Sequence, residues 1–283
     1  DWTIPEPSIE QYNEANIFDN ARNYSDKAVV VIARSGGEGA DLPRSLDPGV
    51  EDTFVDGGTF GSKGLRYSDQ KDDLDVNKSY LQLSNREAAM LDAVNKKFKN
   101  IVVIINASNP MELGFVNEYE NITSVIWCPG AGQTGFNALG KILDGEVNPS
   151  GKTSDIFVYD LKTTPSYNNF GDFRYTNMDE FAVEDRGVSH NPSFVNYAEG
   201  IYVGYRFYET AAKEGAINYA GYVQYPFGYG LSYTNFTKEM GEIVANNGKI
   251  SIDVLVTNTG NVAGKDVVQL YFNPPYTNGG IEK

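Results

Sequence analysis

Apolar residues fall along the first half of this chain in blocks of two different periods. From Ser8 to about Tyr24, the residues Ile9, Tyr12, Ile17, Phe18, Ala21 and Tyr24 lie on or near one face of a helix. Ala28-Val29-Val30-Val31-Ile32 is a short unbroken apolar run, the pattern of a buried strand in a parallel sheet. Ser84-Asn85-Arg86-Glu87 is a capping box, and it opens a helix with Ala88, Leu91, Val94 and Phe98 as its buried stripe. The pattern then predicts a strand at Ile101–Ile105, a short helix over Glu112–Tyr119 and a strand at Ser124–Cys128. A further helix buries Phe136, Leu139 and Leu143 and ends at Gly145. Helix and strand alternate throughout, so right-handed βαβ units around a mainly parallel sheet are expected.

Ligands of open α/β sheets bind beyond the carboxyl ends of the strands. Three loops lie there: Ser35–Pro43, Asn106–Pro110 and Gly130–Gly135. In the first, Glu38 stands between Gly37 and Gly39, which let backbone and substrate come close. That makes it a candidate catalytic acid, with a solvated loop glutamate as the alternative. Asn106, Ser108 and Asn109 offer hydrogen bonds to a sugar, or turn the chain before Pro110. Glu112 is a second strand-end carboxylate, at a place the helix dipole alone also favours. The polar stretch to about Ser79 carries Asp69, Asp72, Asp73 and Asp75 without the Gly and terminal Glu of a calcium loop, and reads as a solvated insertion. Gly130-Ala131-Gly132-Gln133-Thr134-Gly135 matches a dinucleotide fingerprint, but Pro129 precedes it and no strand ends in an acidic residue about twenty positions on. Tight helix–sheet packing is the competing reading.

After about Asp160 the pattern changes. Residues 161–235 are rich in Tyr, Gly, Asn and Pro and read as a connector packed on a domain at 1–160. From Asn235 the period becomes two. Ile250–Val256 alternates, turns at Asn258-Thr259-Gly260 and resumes at Asp266–Phe272, the start of a β-sandwich over 236–283. Such a sandwich takes about 100 residues, so the chain reads as a piece of a longer protein. The net charge of −15 argues against nucleic acid or an anionic membrane as partner. No run is long enough to cross a membrane. One cysteine, Cys128, and one histidine, His190, exclude an internal disulfide framework and a multi-Cys or multi-His metal site. Cys128 falls in an apolar run, and His190 falls in a loop next to Asn191-Pro192. The 19 Tyr and 15 Phe suit sugar faces as well as sandwich cores.

Six ordered stretches resemble the carboxyl-terminal half of glycoside hydrolase family 3. They are Ala28–Gly39, Asn106–Leu113, Trp127–Gly135, Gly145–Lys152, Glu199–Arg206 and Tyr225–Tyr233, in matching order and spacing over nearly the whole chain. The resemblance implies a three-layer α/β sandwich with a mainly parallel sheet, followed by a partial fibronectin-III-like domain. It implies a retaining β-glycosidase whose barrel domain, absent here, supplies an Asp nucleophile. The Gly-Glu-Gly loop then supplies the general acid/base, Glu38, with Glu51 or a carboxylate in 67–75 as alternatives. Arg34, Asp41, Asn106, Ser108 and Asn109 are the candidate substrate-binding residues. Many relatives have Asp-Arg after Gly-Glu-Gly, whereas Asp41 is followed here by Leu42-Pro43-Arg44. The expected partners are a carbohydrate and the barrel of the same protein, with neither cofactor nor metal. A carbohydrate-binding or scaffold module without chemistry, and a dinucleotide enzyme using Gly130–Gly135, are the alternatives.

Overall fold

The chain passes three times between two units, Asp1–Gln133 with Ile156–Tyr225 and Thr134–Asp155 with Pro226–Lys283. The structure, a computed structural model, describes residues 5–36, 42–47, 67–169, 173–177, 180, 183–185, 188–190 and 193–272. Ser8 closes a capping box with Gln11 and starts α1 (Ile9–Glu14). The apolar spacing predicts one helix to Tyr24, but the structure has two. Asn16 takes the left-handed conformation that asparagine tolerates (φ 51°), and α2 (Ile17–Tyr24) begins after it. The break rotates the apolar stripe: Phe18 is buried and stacks on Tyr12, whereas Ile17 and Tyr24 are exposed.

β1 (Lys27–Arg34) pairs in parallel with β2 (Asn100–Ala107), from Lys27 opposite Asn100 to Arg34 opposite Ala107. β3 (Ile122–Trp127) pairs in parallel on the other side of β2. The fold is α/β with a parallel sheet, as expected. Before β2 comes α3 (Asn85–Lys97), whose capping box is formed as read: Ser84 Oγ accepts the Glu87 N–H at 3.1 Å, and Glu87 accepts the Ser84 N–H at 2.9 Å. Met90, Leu91 and Val94 of α3, with Phe98 after it, pack on Val30, Ile32, Ile101, Val103 and Ile105. Each such side chain contributes about 1.5–3 kcal/mol of burial. β1 departs from the expected strand buried on both faces. It is an edge strand among the described residues, with Val30 and Ile32 buried but Val29 and Val31 53% and 52% exposed.

The predicted helix over Glu112–Tyr119 is only a 3₁₀ turn, Gly114–Asn117. The Glu112 N–H is committed to the Leu81 carbonyl (3.0 Å) and its carboxylate to the Leu161 N–H (2.8 Å), so it does not open a helix. After β3 the chain enters the second unit and forms α4 (Asn137–Leu143), with left-handed Gly145 just beyond its end. Phe136, Leu139 and Leu143 are not buried as expected; Phe136 and Leu143 are exposed. The helix belongs to a different unit from β3.

The first unit resumes at β4 (Phe157–Val158). β5 (Phe173–Arg174), β6 (Val183–Asp185), β7 (Val188–His190) and β8 (Ser193–Phe194) follow, β5 paired with β8 and β6 with β7. His190, expected in a loop, therefore ends a strand. Next come α5 (Tyr205–Lys213), α6 (Tyr219–Tyr222) and β9 (Val223–Tyr225), the last antiparallel to β4. Ile156, Val158, Tyr208 and Val223 form a small core of their own, while Phe157 turns to the main core and meets Trp127 edge-on at 5.2 Å.

The second unit holds a long hairpin, β10 (Phe236–Asn246) and β11 (Lys249–Asn258). Asn247 and Gly248 both have positive φ (50° and 73°), as a two-residue type I′ turn requires. A bulge between Met240 and Ile243 keeps Met240, Ile243 and Ala245 on one face with Val254, Ile252 and Ile250. The strand expected at Asp266–Phe272 is not formed. Isolated contacts hold this segment instead, including Lys238 Nζ to the Val267 carbonyl (2.9 Å). Asn148 ties the unit together: its Oδ1 accepts from the Tyr233 N–H (2.7 Å) and Ser232 Oγ (3.0 Å), and its Nδ2 donates to the Ala263 carbonyl (3.0 Å).

Candidate active site

Parallel pairing brings the carboxyl ends of β1, β2 and β3 to one edge. Arg34 lies opposite Ala107, and Ile105 opposite Trp127, whose indole N–H donates to the Ala107 carbonyl at 2.7 Å. Gly36 lies between Leu42 and Asn109. A methyl group added there would overlap the Leu42 side chain and sit 3.6 Å from Asn109 Oδ1. A methyl group added at Gly130, whose φ is 49°, would sit 3.8 Å from Ser108 Oγ, an ordinary contact. Ser108 and Asn109 are exposed on this edge and Asn106 is half-buried. Of the other candidates, Glu38, Asp41 and Glu51 lie outside the described residues. The Leu42 side chain lies against Gly36.

Arg34, read as a substrate-binding candidate, is buried, and all five of its N–H bonds are used within the protein. Nε donates to the Tyr80 carbonyl (2.7 Å), and Nη1 to the Ala33 carbonyl and Glu87 Oε1 (both 2.7 Å). Nη2 donates to the Gln82 carbonyl and to Glu87 Oε2 (2.7 Å). The guanidinium also faces the Tyr67 ring at 4.3 Å. Burial opposes its charge, and the Glu87 carboxylate outweighs that and holds its pKa above the ordinary arginine value. Tyr80 in turn donates its hydroxyl to the Ser35 carbonyl at 3.0 Å. The sequence signal for this network was present in two places, the capping-box Glu87 and the charged end of an apolar strand, but nothing in spacing alone joins them.

The profile of the glycosyl hydrolase family 3 C-terminal domain matches residues 11–205. The chain belongs to glycoside hydrolase family 3. It is 31% identical over a 294-residue alignment to beta-glucosidase A of Butyrivibrio fibrisolvens, covering 96% of this chain and 30% of that protein. It is 36% identical over 201 residues to a beta-glucosidase of Ruminococcus albus, covering 70% of this chain and 18% of that protein. Among solved structures, beta-glucosidase 3B from Thermotoga neapolitana in complex with glucose superposes with a TM-score of 0.59 at 26% identity, over 87% of this chain and 27% of that one. The chain thus spans less than a third of the length of these relatives.

In this family 3 chain, the described part of the acidic stretch is solvated only in part, with Asp69 and Asp72 exposed. Asp73 is buried and its Oδ1 accepts the Arg86 N–H at 2.9 Å, adding a cap to α3 from outside the helix. Asp72 pairs with the Arg86 guanidinium (2.7 Å), which holds its carboxyl below the ordinary range. Asp75 accepts the Asn77 N–H at 2.9 Å. Among the described residues no three His, Cys, Asp or Glu side chains are placed to hold a metal.

Glu112 is also buried, and burial pushes its carboxyl above the ordinary range although the Leu161 N–H and Gln82 side chain oppose this. The folded chain therefore holds the Glu112 proton more tightly than the unfolded chain. The linked stability is complete below the unfolded value of 4.5 and is lost as pH rises through the raised folded value. Urea midpoints at pH 4 and pH 7 check this: the stability of the natural chain relative to Glu112→Gln is expected to fall between the two. An unchanged difference would contradict it.

Proposed function

We propose that this chain is the C-terminal part of a retaining β-glycosidase acting on β-linked glucosides, and that Glu38 is its general acid/base. The profile match over 11–205, together with the beta-glucosidase names of the relatives, carries this reading. The strand-end edge supports it. Exposed Asn109 lies beside Gly36, where the Gly-Glu-Gly loop leaves β1, and exposed Ser108 lies beside Gly130 after β3, so polar groups and a carboxylate can meet one sugar. Retaining hydrolysis needs two carboxyl groups about 5–5.5 Å apart. The nucleophile, from the barrel of the longer protein, attacks the anomeric carbon while Glu38 protonates the leaving oxygen; Glu38 then takes a proton from the incoming water. For this the Glu38 pKa must rise, which exclusion of water by the barrel and substrate brings about. Residues 236–283 are read as the opening of a fibronectin-III-like domain, consistent with the β10–β11 hairpin.

The expected result is turnover of an aryl β-glucoside by the longer protein that contains this chain, and none by residues 1–283 alone, which lack the attacking carboxylate. Turnover by the isolated chain at a rate comparable to the longer protein would refute the division of labour. Inactivity of both on aryl β-glucosides would refute the substrate class.

A further inference from the structure

We propose that Arg34, Glu87 and Tyr80 are positioning residues for the catalytic acid. The inference rests on the reading of Glu38 as that acid. Residues 80–82 form a bracket between the ends of β1 and β2. On one side they receive Arg34, through the carbonyls of Tyr80 and Gln82, and hold the Ser35 carbonyl through the Tyr80 hydroxyl (3.0 Å). On the other side the Leu81 carbonyl accepts the Glu112 N–H (3.0 Å), and the Gln82 side-chain amide donates to the Glu112 carboxylate. Glu87 closes the bracket from the first turn of α3, giving one carboxylate both to the helix cap and to the Arg34 fork.

Three features make this more than packing. A buried ion pair is a poor source of stability, because an apolar pair of the same size is often as stable or more so. What the pair does supply is direction: five bonds fix one guanidinium, and with it the last residue of β1. The fixed point lies two residues before Gly36, against which the Leu42 side chain packs and beside which Asn109 lies. The Arg34 guanidinium and the Tyr80 hydroxyl therefore fix Arg34 and Ser35, the residues leading to Gly36, at the end of β1 in register with β2, three positions ahead of Glu38 in the chain. A carboxyl that must protonate a leaving oxygen depends on such placement, and a 1 Å error costs on the order of 10²-fold.

The test uses the longer protein with a series of β-glucosides of falling leaving-group acidity. The variants are Arg34→Lys, which keeps the charge but not the fork, and Tyr80→Phe, which removes only the bond to Ser35. Ile101→Ala, in the core at the opposite end of β2 from the bracket, is the control for lowered stability, and Glu38→Ala is the reference for loss of the acid. Arg34→Lys is expected to lose about 10- to 100-fold in kcat/KM on alkyl glucosides and less than about threefold on activated aryl ones. Tyr80→Phe should show the same slope more weakly, and Ile101→Ala none at matched temperature below its Tm. Equal losses on both substrate types, in Arg34→Lys and Tyr80→Phe, would overturn the proposal when Glu38→Ala still discriminates between them. If Glu38→Ala does not discriminate, the acid is another residue and the reading beneath the proposal fails.

Discussion

Glu38→Ala in the longer protein should slow hydrolysis of alkyl β-glucosides by about 10²–10⁴-fold, the usual worth of a placed general acid. Activated aryl glucosides should lose much less, because their leaving groups depart without a proton. With such substrates the glycosyl-enzyme still forms, and what fails is the activation of water. Azide needs no such help. Adding it should restore turnover of the aryl substrates and yield a glycosyl azide, which chromatography detects. An equal loss on both substrate types without rescue would move the role to another carboxylate. Asp72, Asp73 and Asp75 would be weak replacements, since each already holds a structural hydrogen bond.

Glu87→Ala should cost about 3–5 kcal/mol of stability, the effect of leaving a buried charge without its partner. The Glu87 carboxylate does two jobs, and the substitution removes both. It strips the Arg34 guanidinium, whose side chain is only 1% exposed, of its counter-ion, and it opens the α3 capping box. For a domain of this size, each kcal/mol is about 2–4 °C in Tm, so a fall of about 6–20 °C is expected by calorimetry. Asp72→Ala is the natural comparison. Its side chain is 61% exposed and pairs with Arg86, and pairs of that kind are worth about 0–1 kcal/mol. Loss of a similar Tm in the two variants would show that burial of the Arg34–Glu87 pair does not matter to it.

The sequence made the strands and the α3 start readable because each depends on neighbours a few residues away. Ser84 and Glu87 cap one another across three residues, and Asn100–Ala107 announces itself as an apolar run. What it hid was mostly non-local. Arg34 reaches carbonyls 46 and 48 residues on, and Glu112 meets the N–H of Leu161, 49 residues away, so their burial has no trace in periodicity. Asn16 was hidden differently: a single left-handed residue broke a helix whose apolar spacing continued across it. The motif Asn148-Pro149-Ser150-Gly151, read only as a family marker, holds Tyr233 and Ala263 to its own segment. The placement of Ser108 and Asn109 at the sheet edge was legible because loops after parallel strands must gather there, whereas Asn106 belongs to β2 itself. The interior use of Arg34 was not legible.

The threefold passage of the chain between its units sets an order for synthesis. Residues 134–155 leave the ribosome about 70 residues ahead of the segment that begins at Pro226 and completes their unit. At typical elongation speeds that is a wait of about 4–14 s. During it Asn148 has no Tyr233 to hold, and α4 stands beside a nascent chain still building the remainder of the first unit. Newly made molecules are thus open to chaperone capture or mispairing in this interval, and codon choice between 156 and 225 would lengthen or shorten it.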